Sequence, residues 1–489
     1  MTETPRISNG ADYIDSLRGR GLRVYLLGEP IEDPVEHPVI RPSINAMAAT
    51  YELAVEEPEL ATAWSPLIGD RVNRFTHVTT CAEDVVLQNR MQRRLGQLTG
   101  TCFQRCVGMD AFNSLYSVTH EIDERHGTDY HRRLVDFIRL VQRSNLVVGG
   151  AMTDPKGDRG AGPSGQQDPD LYLRVVERRA DGLVLRGAKA HQTGCINSHW
   201  IVVMPTIRLR PEDRDWAVVA AIPVDDPGLS FICGRQSCDT RSADGSEIDA
   251  GNARFAGQEA LIIVDDVFVP WERIFMDGET EFAAPLVERF TAYHRRSYVC
   301  KTGVGDVLIG AAAAIAELNG CGRASHVRDK LVEMTHLNET IYAAGMAASH
   351  ESIRRPAGNW EPHDLLANVC KHNVTRFPYE LARLAQDLAG GLVATCPSER
   401  DLASPATGPL VEKYLVGRPG ATAEQRMRFL RLIENLTLGR NAVGYLVESL
   451  HGAGSPQAQR IQIARQMNLE AKMAMAGRLA GIADEEAQS

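Results

Sequence analysis

The spacing of apolar residues changes twice along this chain of 489 residues, and this change constrains the fold more than any other feature of the sequence. From about Asp12 to Leu146, apolar residues recur at the spacing of amphipathic helices. Between Leu171 and about Phe275 the pattern becomes short β-rich runs separated by turn residues. From Ala284 onward the helical period returns in long segments. The order is therefore helices, strands, helices.

These three patterns predict three domains, because a single core rarely grows beyond ~250–300 residues. We expect an N-terminal helical domain at 1–150, a middle β-barrel or β-sandwich domain at 151–283, and a C-terminal helix-bundle domain at 284–489. In the bundle, one long helix is predicted at 423–450. This α+β order is similar to that of acyl-CoA dehydrogenase-like flavoproteins, and by this analogy of fold a flavin would lie between the β-domain and the bundle.

Charge and hydropathy exclude two classes of partner. Lys and Arg number 53 against 63 for Asp and Glu, and no block of like charge indicates a nucleic-acid-binding surface. The longest strongly apolar stretch, Val307 to Ala316, is half of the ~20 residues that a membrane span needs. The first residues resemble neither a signal nor a transit peptide. We expect no nucleic acid, no membrane and a cytoplasmic location.

In a reducing compartment, dispersed cysteines are either core filler or ligands. The chain has ten: Cys81, Cys102, Cys106, Cys195, Cys233, Cys238, Cys300, Cys321, Cys370 and Cys396. Cys102 and Cys106 are four apart, which on a helix places both thiols on one face, where they could bind one metal centre. By spacing alone, core filler remains the alternative.

A second segment carries four chemically active side chains within eight residues: His294, Tyr298, Cys300 and Lys301. Six residues separate His294 from Cys300, and on a regular helix this separation points them ~240° apart. They can share a ligand only if the helix is disrupted, and Gly303 and Gly305 make an irregular backbone plausible here. A surface turn leading into a core helix is the alternative.

Both segments resemble the 4-hydroxybutyryl-CoA dehydratase and vinylacetyl-CoA isomerase branch of the 4-hydroxyphenylacetate 3-hydroxylase flavoprotein family. The similarity extends from ADYIDSLRGRG near the start to HGAGSPQAQR near the end. The resemblance implies a 4Fe-4S cluster whose four ligands match Cys102, Cys106, His294 and Cys300. It also implies FAD and a homotetramer with FAD at the subunit interfaces.

Three segments are candidates for the FAD site. Their candidate residues are Thr153 and Arg159 in NLVVGGAMTDPKGDR, Thr193 in KAHQTGCINSHW, and Gly454, Ser455 and Gln457 in HGAGSPQAQR. The last of these reads as a glycine-containing turn that opens the last helix, where free N–H groups suit a phosphate. The resemblance implies that this turn contacts the FAD of a neighbouring subunit. An ordinary loop or helix start is the alternative for each segment.

Two carboxylates are candidates for proton transfer. Glu259 begins the apolar run EALIIVDDVFVPW, and Glu448 precedes His451 by about one turn. In a closed apolar pocket, either carboxyl group would have a raised pKa and could act as an acid or a base. A solvated strand end for Glu259 and a helix surface for Glu448 are the alternatives.

The resemblance implies a radical dehydratase that converts 4-hydroxybutyryl-CoA to crotonyl-CoA, together with a vinylacetyl-CoA isomerase activity. A base removes the α-proton, FAD takes one electron transiently, the β-proton becomes acidic, and the hydroxyl group leaves. Iron coordinated by His294 would act as a Lewis acid, while His294, Tyr298 and Lys301 serve proton transfer. The alternatives are a two-component FADH2-dependent aromatic monooxygenase, as in the sister branch, and a binding protein that keeps the fold without turnover.

Overall fold

The computed structural model describes residues 6–235 and 247–482, and Cys238 lies outside them. The helices are α1 Gly10–Ser16, α2 Arg41–Glu56, α3 Pro58–Ala61, α4 Ala82–Thr99, α5 Cys106–His126, α6 Tyr130–Ser144, α7 Ala283–Ser297, α8 Cys300–Leu318, α9 Ser325–His350, α10 Asp364–Val374, α11 Phe377–Ala389, α12 Leu392–Thr395, α13 Glu399–Ala403, α14 Gly408–Tyr414, α15 Ala423–Thr437, α16 Arg440–Ala442, α17 Glu448–His451, α18 Pro456–Gln466 and α19 Leu469–Leu479. The strands are β1 Val24–Leu26, β2 Glu29–Ile31, β3 Thr62–Ser65, β4 Asp70–Asn73, β5 Val148–Ala151, β6 Arg174–Arg178, β7 Gly182–Thr193, β8 Trp200–Val203, β9 Val218–Pro223, β10 Leu229–Cys233, β11 Glu259–Pro270, β12 Ile274–Asp277, β13 Ile353–Arg354 and β14 Trp360–Glu361.

The strands of the middle region form two sheets. A six-stranded sheet has the order β2-β1-β10-β11-β7-β6, and a four-stranded sheet has the order β12-β9-β8-β5. Strands from both sheets contribute buried residues to one core, which also contains residues of α2, α5 and α6. The predicted α+β order of helices, sheets and helices is confirmed.

The periodicity of the N-terminal region predicted helices throughout, but the structure also contains short strands there. Val24 of β1 pairs in parallel with Phe231 of β10, and β2 then extends the sheet edge. A three-residue strand is too short to produce a recognisable alternation of apolar and polar residues. The parallel partner lies about two hundred residues further along the chain, so local sequence cannot reveal it.

The C-terminal bundle is organised around the apolar helix α8. Helices α4, α9, α11 and α15 all pack on it, and a second buried core forms there. By length and composition, the helical stretch Thr280–Leu318 is the one described segment that could cross a membrane, but 61% of its most apolar part is buried inside the protein. Most of this apolar stretch therefore belongs to the protein core.

The helix predicted at 423–450 is interrupted. Helix α15 ends at Thr437, Gly439 adopts an extended conformation, and the chain resumes through α16 and a π-helical turn, Val443–Val447. The side-chain oxygen of Asn435 accepts a hydrogen bond from the backbone N–H of Asn441, which stabilises the interruption. This break sets the direction in which α17 presents Glu448.

Candidate active site

The required break between His294 and Cys300 is present. Helix α7 ends at Ser297 and α8 begins at Cys300, so Tyr298 and Val299 form the junction. The expectation that Gly303 and its neighbour Gly305 disrupt the helix is wrong. Both glycines lie inside α8, where a Cβ at Gly303 would stand 2.1 Å from the carbonyl oxygen of Arg93 on α4. They permit close helix packing.

Cys102 and Cys106 do not stand on one helix, in contrast to the interpretation of their spacing. Cys106 is the first residue of α5, while Cys102 lies in the preceding loop. The loop includes Gln104 in the left-handed region, with φ +65°. The side-chain amide of Gln104 donates to the carbonyl oxygen of Ser43 at 3.0 Å and thereby fixes the loop. The two cysteines therefore meet through a turn at a helix N-terminus.

The three predicted cysteine ligands face one another across the helical regions. Burial raises the pKa of the thiols of Cys102, Cys106 and Cys300. The three thiols are close enough for Cys300 to raise the pKa of Cys102, and for Cys102 and Cys300 to raise that of Cys106. Cys102 also lies beside the π-helical turn, since a Cβ added at Gly444 would be 3.5 Å from the Cβ of Cys102. Three dispersed cysteines are thus brought to one place.

The donor set fits an iron–sulfur cluster rather than a single ion. Among the described residues, no group of three or more His, Cys, Asp or Glu side chains is close enough to hold one metal ion. A cubane is wider than an ion, so its ligands stand further apart. Within the same described ranges, the thiols of Cys102, Cys106 and Cys300 donate no hydrogen bond, which leaves their sulfur atoms available.

His294 is oriented by a buried carboxylate. Its Nδ1 lies 2.7 Å from Oδ2 of Asp110, a residue of α5 that is fully buried. The imidazole also stacks on Phe290 and meets the edge of Tyr298, with ring centroids 5.4 and 5.3 Å apart. The contacts hold the ring and leave Nε2 without a partner among the described side chains.

Glu259 and Glu448, predicted separately, form one buried acid–base pair. Burial, together with the charge of Glu448 and a hydrogen bond to it, raises the pKa of Glu259 well above its usual value. Burial also acts to raise the pKa of Glu448, but the charge of Lys301 and hydrogen bonds from Glu259 and Lys301 lower it. The Thr193 hydroxyl donates to Glu259 at 2.8 Å. The environment therefore favours a protonated Glu259 beside an ionised Glu448.

Lys301 connects this pair to the π-helical turn. Its Nζ donates to Oε2 of Glu448 at 2.8 Å and to the carbonyl oxygen of Gly444 at 2.6 Å. The ammonium group is also 5.6 Å from the ring centroid of Tyr298. The predicted proton-transfer residues are thus contiguous.

Tyr298 has a further neighbour, Lys371, that the sequence did not indicate. The ammonium group of Lys371 lies 4.3 Å from its ring centroid and donates to the carbonyl oxygen of Ser449 at 2.5 Å. Burial and the positive charges of Lys301 and Arg295 lower the pKa of Lys371 well below its usual value. These contacts hold the phenol ring between α10 and α17.

The predicted flavin residues fall into two places. Thr153 lies next to the strand that ends in Thr193, since its carbonyl oxygen accepts from the backbone N–H of Ala190 at 2.8 Å. Arg159 is exposed on the following loop near Tyr172; burial raises the pKa of Tyr172, and the charge of Arg159 offsets part of this rise. Thr193 therefore lies on the carboxylate pair and Thr153 lies along the same strand, β7, whereas Arg159 is on an exposed loop.

The other candidates lie on an exposed turn. Gly454, Ser455 and Gln457 are exposed, and Ser455 precedes α18, which is the helix before the last one. Gly454 requires a left-handed backbone, with φ +96°, and Arg295 donates to the carbonyl oxygen of Ala453 at 3.0 Å. The turn presents its candidate residues outward.

Sequence reasoning missed three residues of this site. Asp110 continues the four-residue spacing of Cys102 and Cys106, so the pattern 102, 106, 110 was a usable signal. Lys371 carried no signal, because its helix is remote in sequence. Gly452 was also missed: a Cβ there would stand 1.8 Å from the hydroxyl oxygen of Tyr298. Only glycine permits this close approach.

The fold and the site together define an enzyme with buried acid–base groups beside a set of thiols. The chain belongs to the 4-hydroxyphenylacetate 3-hydroxylase family: the family's N-terminal region matches residues 9–276 and its C-terminal region matches residues 283–481.

Three relatives are particularly similar. The 4-hydroxybutyryl-CoA dehydratase/vinylacetyl-CoA-Δ-isomerase of Clostridium aminobutyricum is 56% identical over 483 residues, which cover 96% of this chain and 98% of the relative. The structure of an oxygen-tolerant archaeal 4-hydroxybutyryl-CoA dehydratase from N. maritimus superimposes with a TM-score of 0.97 at 65% identity, covering 98% of this chain and 96% of that one. The oxygenase component of 4-hydroxyphenylacetate 3-monooxygenase complexed with FAD superimposes with a TM-score of 0.85 at 24% identity, covering 97% and 98%.

Proposed function

We propose that this protein is a 4-hydroxybutyryl-CoA dehydratase that forms crotonyl-CoA and also isomerises vinylacetyl-CoA. The observation that carries the proposal is the convergence of three cysteines and His294 on an acid–base pair of carboxylates. The high identity to two dehydratases over nearly the whole chain supports it. The acyl-CoA substrate follows from the same similarity.

Cys102, Cys106, Cys300 and His294 would hold a 4Fe-4S cluster, with three thiolates and one imidazole as ligands. Thr153, Arg159 and Thr193 would contact FAD. When bound, FAD supplies reversible one-electron chemistry that makes the β-hydrogen acidic, and the cluster supplies a Lewis acid for the substrate hydroxyl.

Glu448 and Glu259 divide the proton transfers between them. The Glu448 carboxylate, kept ionised by Lys301, accepts a proton from the substrate carbon. Oε1 of Glu448 is sealed from solvent and accepts no hydrogen bond from a fixed donor among the described residues. A proton on Glu259 supplies the hydrogen bond between the two carboxyl groups. Glu259 is then the neutral acid, and Thr193 holds its carboxyl group in place.

Tyr298, Lys301 and His294 complete the polar lining. The Lys301 ammonium holds Glu448 at a fixed distance, and the Tyr298 phenol meets the face of the imidazole edge-on. All three side chains are largely buried, which excludes water and strengthens their electrostatic effect on the substrate.

We further propose a homotetramer in the cytoplasm, with FAD at the subunit interfaces. Gly454, Ser455 and Gln457 face outward, so a neighbouring subunit's FAD can reach them. Apolar side chains on α19 are also exposed, among them Met473 at 65% and Leu479 at 93%. Burial of these side chains between subunits would stabilise the assembly.

The deciding experiment is anaerobic incubation of the purified protein with 4-hydroxybutyryl-CoA, followed by chromatography for crotonyl-CoA beside iron, sulfide and flavin analysis. We expect turnover, FAD, and four iron and four sulfide per chain, as the cluster formula requires. Cys106→Ala should lose iron and activity, whereas Cys396→Ala, a buried cysteine in the bundle core, should lose neither.

Two results would contradict the proposal. One is an iron-free protein that hydroxylates a phenol only with a flavin reductase and oxygen, as the monooxygenase alternative predicts. The other is Cys106→Ala with full iron content and full dehydratase activity.

A further inference from the structure

Asp110, a buried hydrogen-bond partner of His294, has no part in proton transfer at the carboxylate pair. Asp110 lies on α5, one helical turn after Cys106, and is 0% exposed. Its Oδ2 meets Nδ1 of His294 at 2.7 Å. Its Oδ1 is sealed from solvent and has no partner among the described residues. An unpaired oxygen on a buried carboxylate lowers the stability of the fold. This cost indicates that the position of Asp110 serves another group.

A positive charge near Asp110 comes from Arg296, two residues beyond His294 on α7. Arg296 itself donates to the side chains of Asn89 and Gln88 on α4, so it is fixed in place. The side chains around Asp110 are therefore fixed, and a carboxylate oxygen that meets a ring nitrogen accepts its hydrogen.

Because Asp110 accepts, Nδ1 of His294 carries the hydrogen, and Nε2 keeps its lone pair. The structure contains a matched comparison in His77, whose Nε2 lies 2.9 Å from Oδ2 of Asp84. The other nitrogen of His77, Nδ1, is sealed from solvent and unpaired, as in a purely structural pair. Nε2 of His294 also lacks a described partner but is not sealed. Only in the His294 pair does the free lone pair face accessible space.

We infer that Asp110 is a positioning residue for the iron–sulfur cluster, which selects the tautomer of His294 and directs its Nε2 lone pair to the iron. The inference rests on the proposed function, because it requires His294 as a cluster ligand. Helix α5 then contributes twice: Cys106 ligates directly, and Asp110 orients the ligand that comes from α7. A carboxylate on the second nitrogen of a ligating imidazole also makes the imidazole a stronger donor.

The test compares Asp110→Asn with Asp84→Asn in the full-length protein purified without oxygen. Asparagine keeps the shape of the side chain and removes its charge. In Asp110→Asn we expect the cluster to be lost to an iron chelator about 10–100-fold faster, since partners of ligating histidines affect metal affinity by that factor. We also expect a more positive reduction potential and a changed nitrogen hyperfine coupling of the reduced cluster, because a weaker donor stabilises the oxidised cluster less.

Asp84→Asn removes the carboxylate of an equally buried histidine pair that touches none of the cysteine ligands, so it should change thermal stability but neither the potential nor the coupling. Should Asp110→Asn fail to fold, a crystal structure of the loaded wild type decides: Nε2 on iron with Nδ1 still on Asp110 is expected, and a His294 turned away from Asp110 overturns the inference.

The outcomes separate the two proposals. Wild-type protein without iron and sulfide overturns the proposed function and this inference with it. A wild type with its cluster, beside an Asp110→Asn variant of unchanged potential, coupling and cluster loss, overturns only the role of Asp110.

Discussion

At the scale of single residues, environment assigns opposite roles to two identical side chains. Glu259 and Glu448 are both buried, but only Glu448 contacts the Lys301 ammonium. Burial and the charge of Glu448 raise the pKa of Glu259. The Lys301 ammonium outweighs burial at Glu448 and lowers its pKa. The sequence named both glutamates as candidates, but it contained nothing that paired them or distinguished acid from base.

Glu448→Gln should reduce dehydratase turnover by about 10²–10⁴-fold, the usual contribution of a positioned base. The amide cannot accept a proton, although it preserves the size of the side chain. Glu259→Gln, whose amide still donates to Glu448, should also lose turnover while it retains FAD and iron. Crotonyl-CoA formation measures both effects, and full turnover in either variant would remove that residue from proton transfer.

His199 should make the protein sensitive to mild acid. Burial and the positive charges of Arg20 and Arg105 lower its pKa from 6.5 to about 3. Its Nδ1 accepts from the backbone N–H of Val147 at 3.0 Å, so the neutral ring is the one that fits. Unfolded chains bind the proton below pH 6.5 and the folded chain does not, so stability falls from pH 6.5 down to about 3.

At pH 5.5 this loss amounts to about 1.4 kcal/mol, because the unfolded histidine is then mostly charged. His199→Asn can still accept the Val147 hydrogen bond but does not titrate. We expect the thermal midpoint of the variant to fall less than that of the wild type between pH 7.5 and 5.5. Equal falls in the two proteins would show that His199 does not carry this acid sensitivity.

At the scale of elements, the site depends on two helix interruptions. One separates α7 from α8 at Tyr298, and the other separates α15 from α17. The first was required by the six-residue spacing of His294 and Cys300, so the sequence contained its signal. The second was not expected, because residues 423–450 have helical periodicity throughout, whereas the side chain of Asn441 bonds to Thr101 and Phe255 on segments remote in sequence.

Helix α8 carries a matched pair of glycines that tests the packing on α4. A Cβ at Gly303 would stand 2.1 Å from the carbonyl oxygen of Arg93, whereas Gly310 has nothing within 4 Å. Gly303→Ala should destabilise the protein by about 1–3 kcal/mol through overpacking against backbone. Gly310→Ala should stabilise it by about 0.5–1 kcal/mol, since alanine favours the helix.

Thermal unfolding of both glycine variants compares them directly. Because α8 begins with Cys300 and Lys301, we also expect Gly303→Ala to lower iron content. A Gly303→Ala variant as stable as Gly310→Ala would contradict the close approach of α4 and α8.

At the scale of the whole molecule, the proposed subunit assembly would account for the outward-facing apolar residues of α19 and for the outward-facing candidate flavin turn. We expect light scattering after size exclusion to give a tetramer. Met473→Glu combined with Leu479→Glu should shift it to smaller species and reduce bound FAD, because charges resist burial at an interface. Glu470→Lys, an exchange of charge on the same helix, is the control. A tetramer with full FAD in the double variant would contradict an interface at α19.

The sequence by itself determined the order of helices, strands and helices, because apolar periodicity is a local property of the chain. The resemblance of two of its segments to a known family also supplied the candidate cluster ligands Cys102, Cys106, His294 and Cys300, which spacing alone left open. Tertiary structure alone decided the hydrogen bond between Asp110 and His294 and the pairing of the two glutamates. These contacts join residues that are far apart in sequence, and packing of α5, α7, β11 and α17 determines which side chains meet and which lose water.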